Sequence, residues 1–244
     1  MEDPAPDLVS ALRNSSHTVV LTGSGISAES GVPTFREAQT GLWERFDPQE
    51  LATPEAFERD PGLVWNWYAW RRELVGRAAP NPGHLALVEM QDLHPNFTLV
   101  TQNVDGLHQR AGSRRAIELH GNILRTRCSA EGVEVDDYEA SESPPVCPSC
   151  GAPLRPDVVW FGEMLPPDTL DAASEAARGA DIFLSVGTSS LVYPAAALPY
   201  EALEGGAILV EVNPEHTPLT PHAEHVLRGL AGEVLPRLMR ELRE

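Results

Sequence analysis

Short apolar runs alternate with amphipathic stretches at both ends of the chain. Residues 17–22, 97–101, 181–186 and 206–212 read as buried strands, with a shorter one at 225–228. Between them, 7–15, 82–93, 167–178, 194–204 and 230–243 carry apolar positions at helical spacing. This alternation is the rhythm of a parallel, doubly wound sheet. Two stretches break it. Residues 34–80 are aromatic and helical, and include Trp65-Asn-Trp-Tyr-Ala-Trp-Arg-Arg72; residues 121–157 carry the cysteines and an acidic Ser/Pro loop at 136–145. The pattern therefore predicts one discontinuous domain (1–33, 81–120 and 158–244) with a helical insertion at 34–80 and a small second insertion at 121–157. No internal repeat is visible, and the acidic loop reads as a solvated connection.

The first strand leads into Gly23, Gly25 and Ala28, the G-x-G-x-x-G/A spacing that brings backbone amides close to a pyrophosphate. The expected fold class is accordingly α/β, a Rossmann-like parallel sheet with a smaller inserted helical plus zinc-ribbon-like module. In an ordinary dehydrogenase a long helix follows this loop, and an acidic residue ends the next strand. Here Gly31 and Pro33 stop the helix within a turn or two, so the Pro33-Thr-Phe-Arg36 segment needs another purpose. Further polar clusters follow predicted strands: Thr101-Gln-Asn-Val-Asp-Gly-Leu-His108, Gly187-Thr-Ser-Ser190, Asn213-Pro-Glu215 and Leu227-Arg-Gly-Leu-Ala-Gly232. Each alone is compatible with a structural loop. Together, at the ends of strands where an open α/β sheet keeps its ligand crevice, they point to a dinucleotide site.

Composition narrows the chemistry. A net charge of −18 and a pI near 4.8 disfavour nucleic acid and anionic membranes and weakly favour cationic partners. All 18 basic residues are arginines, which excludes a Schiff-base or Walker lysine and also any self-acylation on lysine. The N-terminal 15 residues lack a basic and an apolar signal region, and no apolar run approaches a membrane span. The expectation is a cytoplasmic monomer. Three cysteines, two of them as Cys147-Pro-Ser-Cys150, suit a metal better than a disulfide framework.

The segments Gly23-Ser-Gly-Ile-Ser-Ala-Glu-Ser-Gly-Val-Pro-Thr-Phe-Arg36, Thr101-Gln-Asn-Val-Asp105, Leu119-His-Gly121, Pro156-Asp-Val-Val-Trp-Phe-Gly-Glu163 and Gly187-Thr-Ser-Ser190 resemble, in order, the successive motifs of the sirtuins. These are NAD-dependent protein-lysine deacylases, and the resemblance spans nearly the whole chain. It implies that NAD is consumed as a co-substrate and that the loop bearing Thr34, Phe35 and Arg36, with Trp43, folds over its nicotinamide half as a lid against water. It also implies cofactor contacts from Gly23, Ser24, Gly25, Ile26 and Ala28, with Ser24 standing where alanine is commoner. Gln102 falls to the nicotinamide ribose, Asn103 to the ribose and an ordered water, and Asp105 to the carboxamide, with Val104 a further cofactor contact. Gly187, Thr188, Ser189, Asn213, Pro214, Glu215 and Ala231 fall to the phosphate and adenosine end.

Cleavage of the nicotinamide–ribose bond followed by acyl transfer needs a base to deprotonate a ribose hydroxyl, and a neutral histidine suits that task. His120, ending the run Ala116-Ile-Glu-Leu119, is the candidate and matches the catalytic histidine of the resemblance; His108 is the runner-up, equally compatible with a packing role. Residues 158–163 read as a strand with a buried aromatic pair. The resemblance makes Val159, Trp160, Phe161, Gly162 and Glu163 one wall of an acyl-lysine channel, with Val192 and Tyr193 on the opposing edge. Tyr68 and Arg71, three apart on a helix, share a face. Their Tyr-x-x-Arg spacing resembles the desuccinylase and demalonylase branch, where the pair meets the carboxylate of a dicarboxylic acyl chain. A small zinc module in this family has two Cys-x-x-Cys pairs. Here the first reads Cys128-Ser-Ala-Glu131, so Cys128, Cys147 and Cys150 leave Glu131 as the candidate fourth ligand, against a degenerate ribbon held by packing alone. The alternatives are a hydride-transferring oxidoreductase, disfavoured by the interrupted glycine loop, a mono-ADP-ribosyltransferase, and a non-catalytic NAD or ADP-ribose sensor.

Overall fold

The computed structural model describes residues 4–33, 47–139 and 143–244. Among these, six parallel strands form the main sheet: β1 (Thr18–Thr22), β2 (Phe97–Thr101), β3 (Ala116–Glu118), β6 (Ile182–Val186), β7 (Ile208–Val212) and β8 (His225–Leu227), in the order β3-β2-β1-β6-β7-β8. Two further strands, β4 (Gly121–Cys128) and β5 (Leu154–Val158), pair antiparallel as a separate sheet. β1 and β6 are buried at every position, which is why they read as unbroken apolar runs. The outer strands β3 and β8 are three residues long and half-buried, as suits sheet edges.

Because side chains alternate across a strand, β1 serves two cores. Val20 packs with α1 (Pro6–Asn14), α5 (Pro82–Leu93) and α9 (Ala231–Arg243) on one face. Val19 and Leu21 pack with α7 (Pro167–Arg178) and α8 (Leu198–Glu204) on the other. A third core joins α2 (Pro48–Leu51), α3 (Pro54–Arg59), α4 (Pro61–Arg77) and α6 (Leu107–Ala111) to the body of the chain through Leu51, Phe57, Trp67, Tyr68, Leu107, Ile123 and Trp160. The helix α4 starts where Asp60 accepts a hydrogen bond from the Leu63 N–H at 2.9 Å and Pro61 takes a first-turn position whose N–H has no helical partner.

The strand expected over 158–163 ends at Val158. Beyond it the Phe161 N–H donates to the Ala52 carbonyl at 2.9 Å and the Glu163 N–H to the Trp160 carbonyl at 3.0 Å, while Gly162 has φ +87°. Nor is there a buried aromatic pair: Trp160 is 2% exposed and Phe161 42%. The second insertion holds two strands that periodicity did not single out, because β4 mixes polar and apolar residues and bulges between Asn122 and Thr126. Among the described residues no helix is long and apolar enough to cross a membrane.

Candidate active site at the reversal of strand order

The strand order reverses between β1 and β6, and their carboxyl ends open a crevice of the kind in which doubly wound sheets bind ligands. Three glycines interlock there. The Gly23 N–H donates to the Val186 carbonyl at 3.0 Å and the Gly25 N–H to the Gly187 carbonyl at 2.8 Å. A Cβ on Gly25 would lie 2.7 Å from the Gly187 carbonyl oxygen, and one on Gly187, at φ +60°, 2.5 Å from the Ile26 nitrogen. The backbones of the two loops therefore touch. After Gly23 the chain makes only two short 3-10 turns, Ser24–Ile26 and Ala28–Ser30, and leaves through Gly31 at φ +76°. That confirms the early break. The lid residues Thr34, Phe35, Arg36 and Trp43 lie outside the described residues.

The loop after β2 is held by hydrogen bonds to β1 and to the first turn. The Gln102 N–H donates to the Thr22 carbonyl at 2.9 Å and its side-chain amide to Thr188 Oγ1 at 3.0 Å. Asn103 Nδ2 donates to Ser27 Oγ at 3.0 Å, and Ser27 Oγ donates to Asp105 Oδ2 at 2.7 Å, whose Oδ1 accepts the Leu107 N–H at 2.9 Å. Burial raises the Asp105 pKa, opposed by those two hydrogen bonds and by the charges of Arg110 and Arg71. Val104 is half-buried against the third core.

His120 occupies the turn between β3 and β4. Its Nδ1 lies 2.9 Å from the Gln102 carbonyl oxygen. A carbonyl only accepts, so Nδ1 carries the hydrogen and Nε2 is the basic nitrogen. Burial lowers the pKa of the ring, partly offset by that hydrogen bond, so the imidazole is neutral near pH 7. Gly121 fixes the turn at φ +79°, where a Cβ would meet the Asp157 carbonyl oxygen at 2.2 Å. The alternative histidine, His108, is 1% exposed beneath the loop, its Nε2 2.9 Å from Thr22 Oγ1 and its ring 4.9 Å from that of His84. Its observed contacts are those of a packed, buried ring.

At the far end of the crevice Asn213 Nδ2 donates to the Thr188 carbonyl at 2.9 Å, and its Oδ1 accepts the Glu215 N–H at 3.2 Å. Pro214 and Glu215 are exposed, Ser189 is half-buried, and Ala231 is buried at the start of α9. Three residues that the sequence reading assigned no role hold this end. The Glu211 carboxylate, 1% exposed, accepts from Thr217 and from Thr220 and lies 3.5 Å from Arg228. Arg228 donates to the backbone carbonyls of Asn213 and Glu215. Glu29 accepts the Gly232 N–H at 2.7 Å and so caps α9 from a distance. Its acidic character within a helix-breaking loop is the one sequence signal that points to Glu29.

Tyr68 is buried, and its phenol oxygen accepts the Trp160 indole N–H at 3.0 Å. Burial pushes the phenol up to about 12, against the lowering effect of Arg71 and of the Trp160 bond. Arg71 lies with its guanidinium carbon 5.0 Å from the centre of the Trp67 ring; burial lowers its pKa, opposed by Tyr68 and Asp105. Tyr68 thus sits in the aromatic core, while the half-buried Arg71 packs on Trp67 and feels the charge of Asp105. The Glu163 carboxylate binds Arg155 at 2.6 and 2.9 Å and accepts the Trp160 N–H at 2.8 Å. On the opposing side Leu191 and Tyr193 are exposed and Val192 half-buried.

In the second insertion the donor atoms of Cys128, Glu131, Cys147 and Cys150 all lie within 4.8 Å of one another, with Cys128 Sγ 3.5 Å from Cys150 Sγ. A tetrahedral zinc with bonds of about 2.3 Å separates its sulfur ligands by roughly 3.8 Å, so the set fits. The metal there would cross-link the β4–β5 sheet as a structural site.

A doubly wound crevice closed by touching glycines, with amide and acid groups beside a neutral histidine, has the form of an enzyme site for a dinucleotide. The chain belongs to the Sir2 family, whose model matches residues 23–194. It is similar to NAD-dependent protein deacylase 2 of Pyrobaculum aerophilum, 56% identical over 233 residues that cover 95% of this chain and 93% of that protein. Among solved structures it is similar to a Sir2 homolog–NAD complex, with a TM-score of 0.92 and 49% identity, covering 98% of this chain and 94% of that one. It is also similar to a complex of Sir2 with a p53 peptide and NAD+, with a TM-score of 0.87 and 33% identity, covering 97% of each chain.

Proposed function

We propose that the protein is an NAD-dependent lysine deacylase that removes succinyl and malonyl groups, and acetyl groups as well, from protein substrates. NAD is its co-substrate, supplying an electrophilic ribose carbon and accepting the acyl group as nicotinamide leaves. The residues of this chain divide the remaining work. Gly23, Gly25 and Gly187 let backbone approach the phosphates; Asn213 and Thr188, tied to each other, face the adenosine end. Asn103 and Asp105, linked through Ser27, orient the nicotinamide riboside. His120 takes a ribose hydroxyl proton at Nε2, while the Gln102 carbonyl holds Nδ1 and supports the positive charge that develops on the ring.

The observation that supports the acyl assignment is that the half-buried Arg71, stacked on the Trp67 ring, lies within electrostatic reach of the buried phenol of Tyr68 and of Asp105. A carboxylate entering an apolar channel must be paired, and a guanidinium can do so through two parallel hydrogen bonds. Losing a charged hydrogen bond of about 1.5–3 kcal/mol lowers kcat/KM roughly 10- to 150-fold. Arg71→Met is therefore expected to raise KM for a succinyl-lysine peptide far more than for an acetyl-lysine peptide. Equal weakening of both activities makes Arg71 structural and removes the acyl assignment, leaving the deacylase intact.

A further inference from the structure

Tyr68 can serve a substrate carboxylate only if its hydroxyl hydrogen points at it. A phenol both donates and accepts, so the residue alone does not decide which it does. Its neighbour decides. The Trp160 indole N–H is donor only, and it reaches the Tyr68 oxygen at 3.0 Å with both side chains buried. That bond occupies an acceptor position of the phenol and leaves the O–H hydrogen for another partner.

Trp160 is itself held on several sides. Its backbone N–H donates to Glu163 Oε2 at 2.8 Å, and Phe57 packs against its ring at 5.2 Å between centroids. The guanidinium of Arg155 stacks on the indole with its carbon 3.3 Å from the ring centre, while its own N–H groups bind both oxygens of Glu163 and the Val158 carbonyl. Arg155 is 5% exposed, so the stack is sealed from water, where cation–π contacts are strongest. The indole cannot swing away without opening this ion pair. The phenol donor of Tyr68 then lies within electrostatic reach of the Arg71 guanidinium.

We propose that Trp160 is a positioning residue for acyl selectivity: by donating to Tyr68 it fixes that hydroxyl as a donor toward a carboxylate-bearing acyl group. The proposal rests on the dicarboxylic acyl reading of the preceding section. An acetyl group ends in a methyl and has no use for that donor. Trp160 therefore acts on the ratio between substrates, whereas a residue that merely fills the core acts on both alike.

The test compares kcat/KM for succinyl-lysine and acetyl-lysine peptides, at saturating NAD, in the full chain and in Trp160→Phe, Tyr68→Phe and the double variant. Loss of one neutral hydrogen bond is expected to lower the succinyl-to-acetyl ratio about 3- to 10-fold in Trp160→Phe. In the Tyr68→Phe background the same substitution is expected to leave the ratio unchanged, because the group it acts through is gone. Replacing the indole by benzothiophene at position 160 keeps both fused rings and deletes only the N–H, so it serves if Trp160→Phe unfolds. An equal loss on both substrates, or the same change of ratio with and without the Tyr68 hydroxyl, overturns the proposal while Arg71→Met still reports on the acyl reading. A wild type without desuccinylase activity overturns both.

Discussion

Acid should loosen this fold through two buried histidines. His84 and His108 lie with ring centres 4.9 Å apart beneath the Asn103–Asp105 loop. Thr22 Oγ1 donates to Thr101, so it accepts from His108 Nε2, and His108 Nδ1 is left buried with no hydrogen-bond partner. In His84 the Nδ1 faces the Asn81 N–H at 3.3 Å, which leaves Nε2–H toward Ser27. A second proton would have to enter at Nδ1 in both rings, against an N–H in one and against no acceptor in the other. Burial accordingly pulls the pKa of His84 down to about 4 and, with some help from His84, that of His108 to about 3. The unfolded chain binds these protons near pH 6.5, so stability is full above that value and is lost as pH falls toward 4. From pH 8 to pH 5 each histidine removes about 2 kcal/mol, and the pair about 4 kcal/mol. Urea denaturation at the two pH values, in wild type and in His108→Gln, measures this, and the variant is expected to lose about half of the pair's contribution. Other groups titrate in the same range, so the difference between the two proteins is the decisive quantity. If both proteins lose the same stability between pH 8 and pH 5, the linkage is wrong.

Two further outcomes follow from the site. His120→Ala is expected to lower acyl-peptide turnover roughly 10²–10⁴-fold with NAD binding kept, and the acid limb of wild-type kcat/KM to inflect below the ordinary histidine value, since burial lowers the ring's pKa. Retention of about a tenth of wild-type kcat removes His120 from the role. Protein purified without chelator is expected to carry zinc on Cys128, Cys147, Cys150 and Glu131, measured by elemental analysis; chelation is expected to lower the unfolding temperature, and a metal content near zero rejects the site.

The apolar runs of β1, β2, β6 and β7 were legible because buried parallel strands must be hydrophobic on both faces, which leaves little else for such a run to be. The glycines were legible for a similar reason: Gly25 and Gly187 stand where backbone meets backbone and no Cβ fits. What escaped was everything whose meaning lies in a partner far along the chain. Arg155 reads as one arginine among 18 until Glu163, Trp160 and Tyr68 surround it, the last of these 92 residues from the indole it binds. Glu211 reads as a polar interruption in an apolar strand until Thr217, Thr220 and Arg228 close on it. Neither periodicity nor a local motif encodes a buried charge, since its cost is offset only by groups that tertiary structure brings to it. The same logic separates the two halves of the site. His120 and Asn103 stand in the short motifs Leu119-His-Gly121 and Thr101-Gln-Asn-Val-Asp105, so a motif carries their identity even though Gln102 and Ser27, from other segments, hold their side chains. Tyr68 meets an indole held by Arg155 of the second insertion and by Glu163 of the main domain, so the acyl preference proposed above rests on residues that no motif around Tyr68 contains.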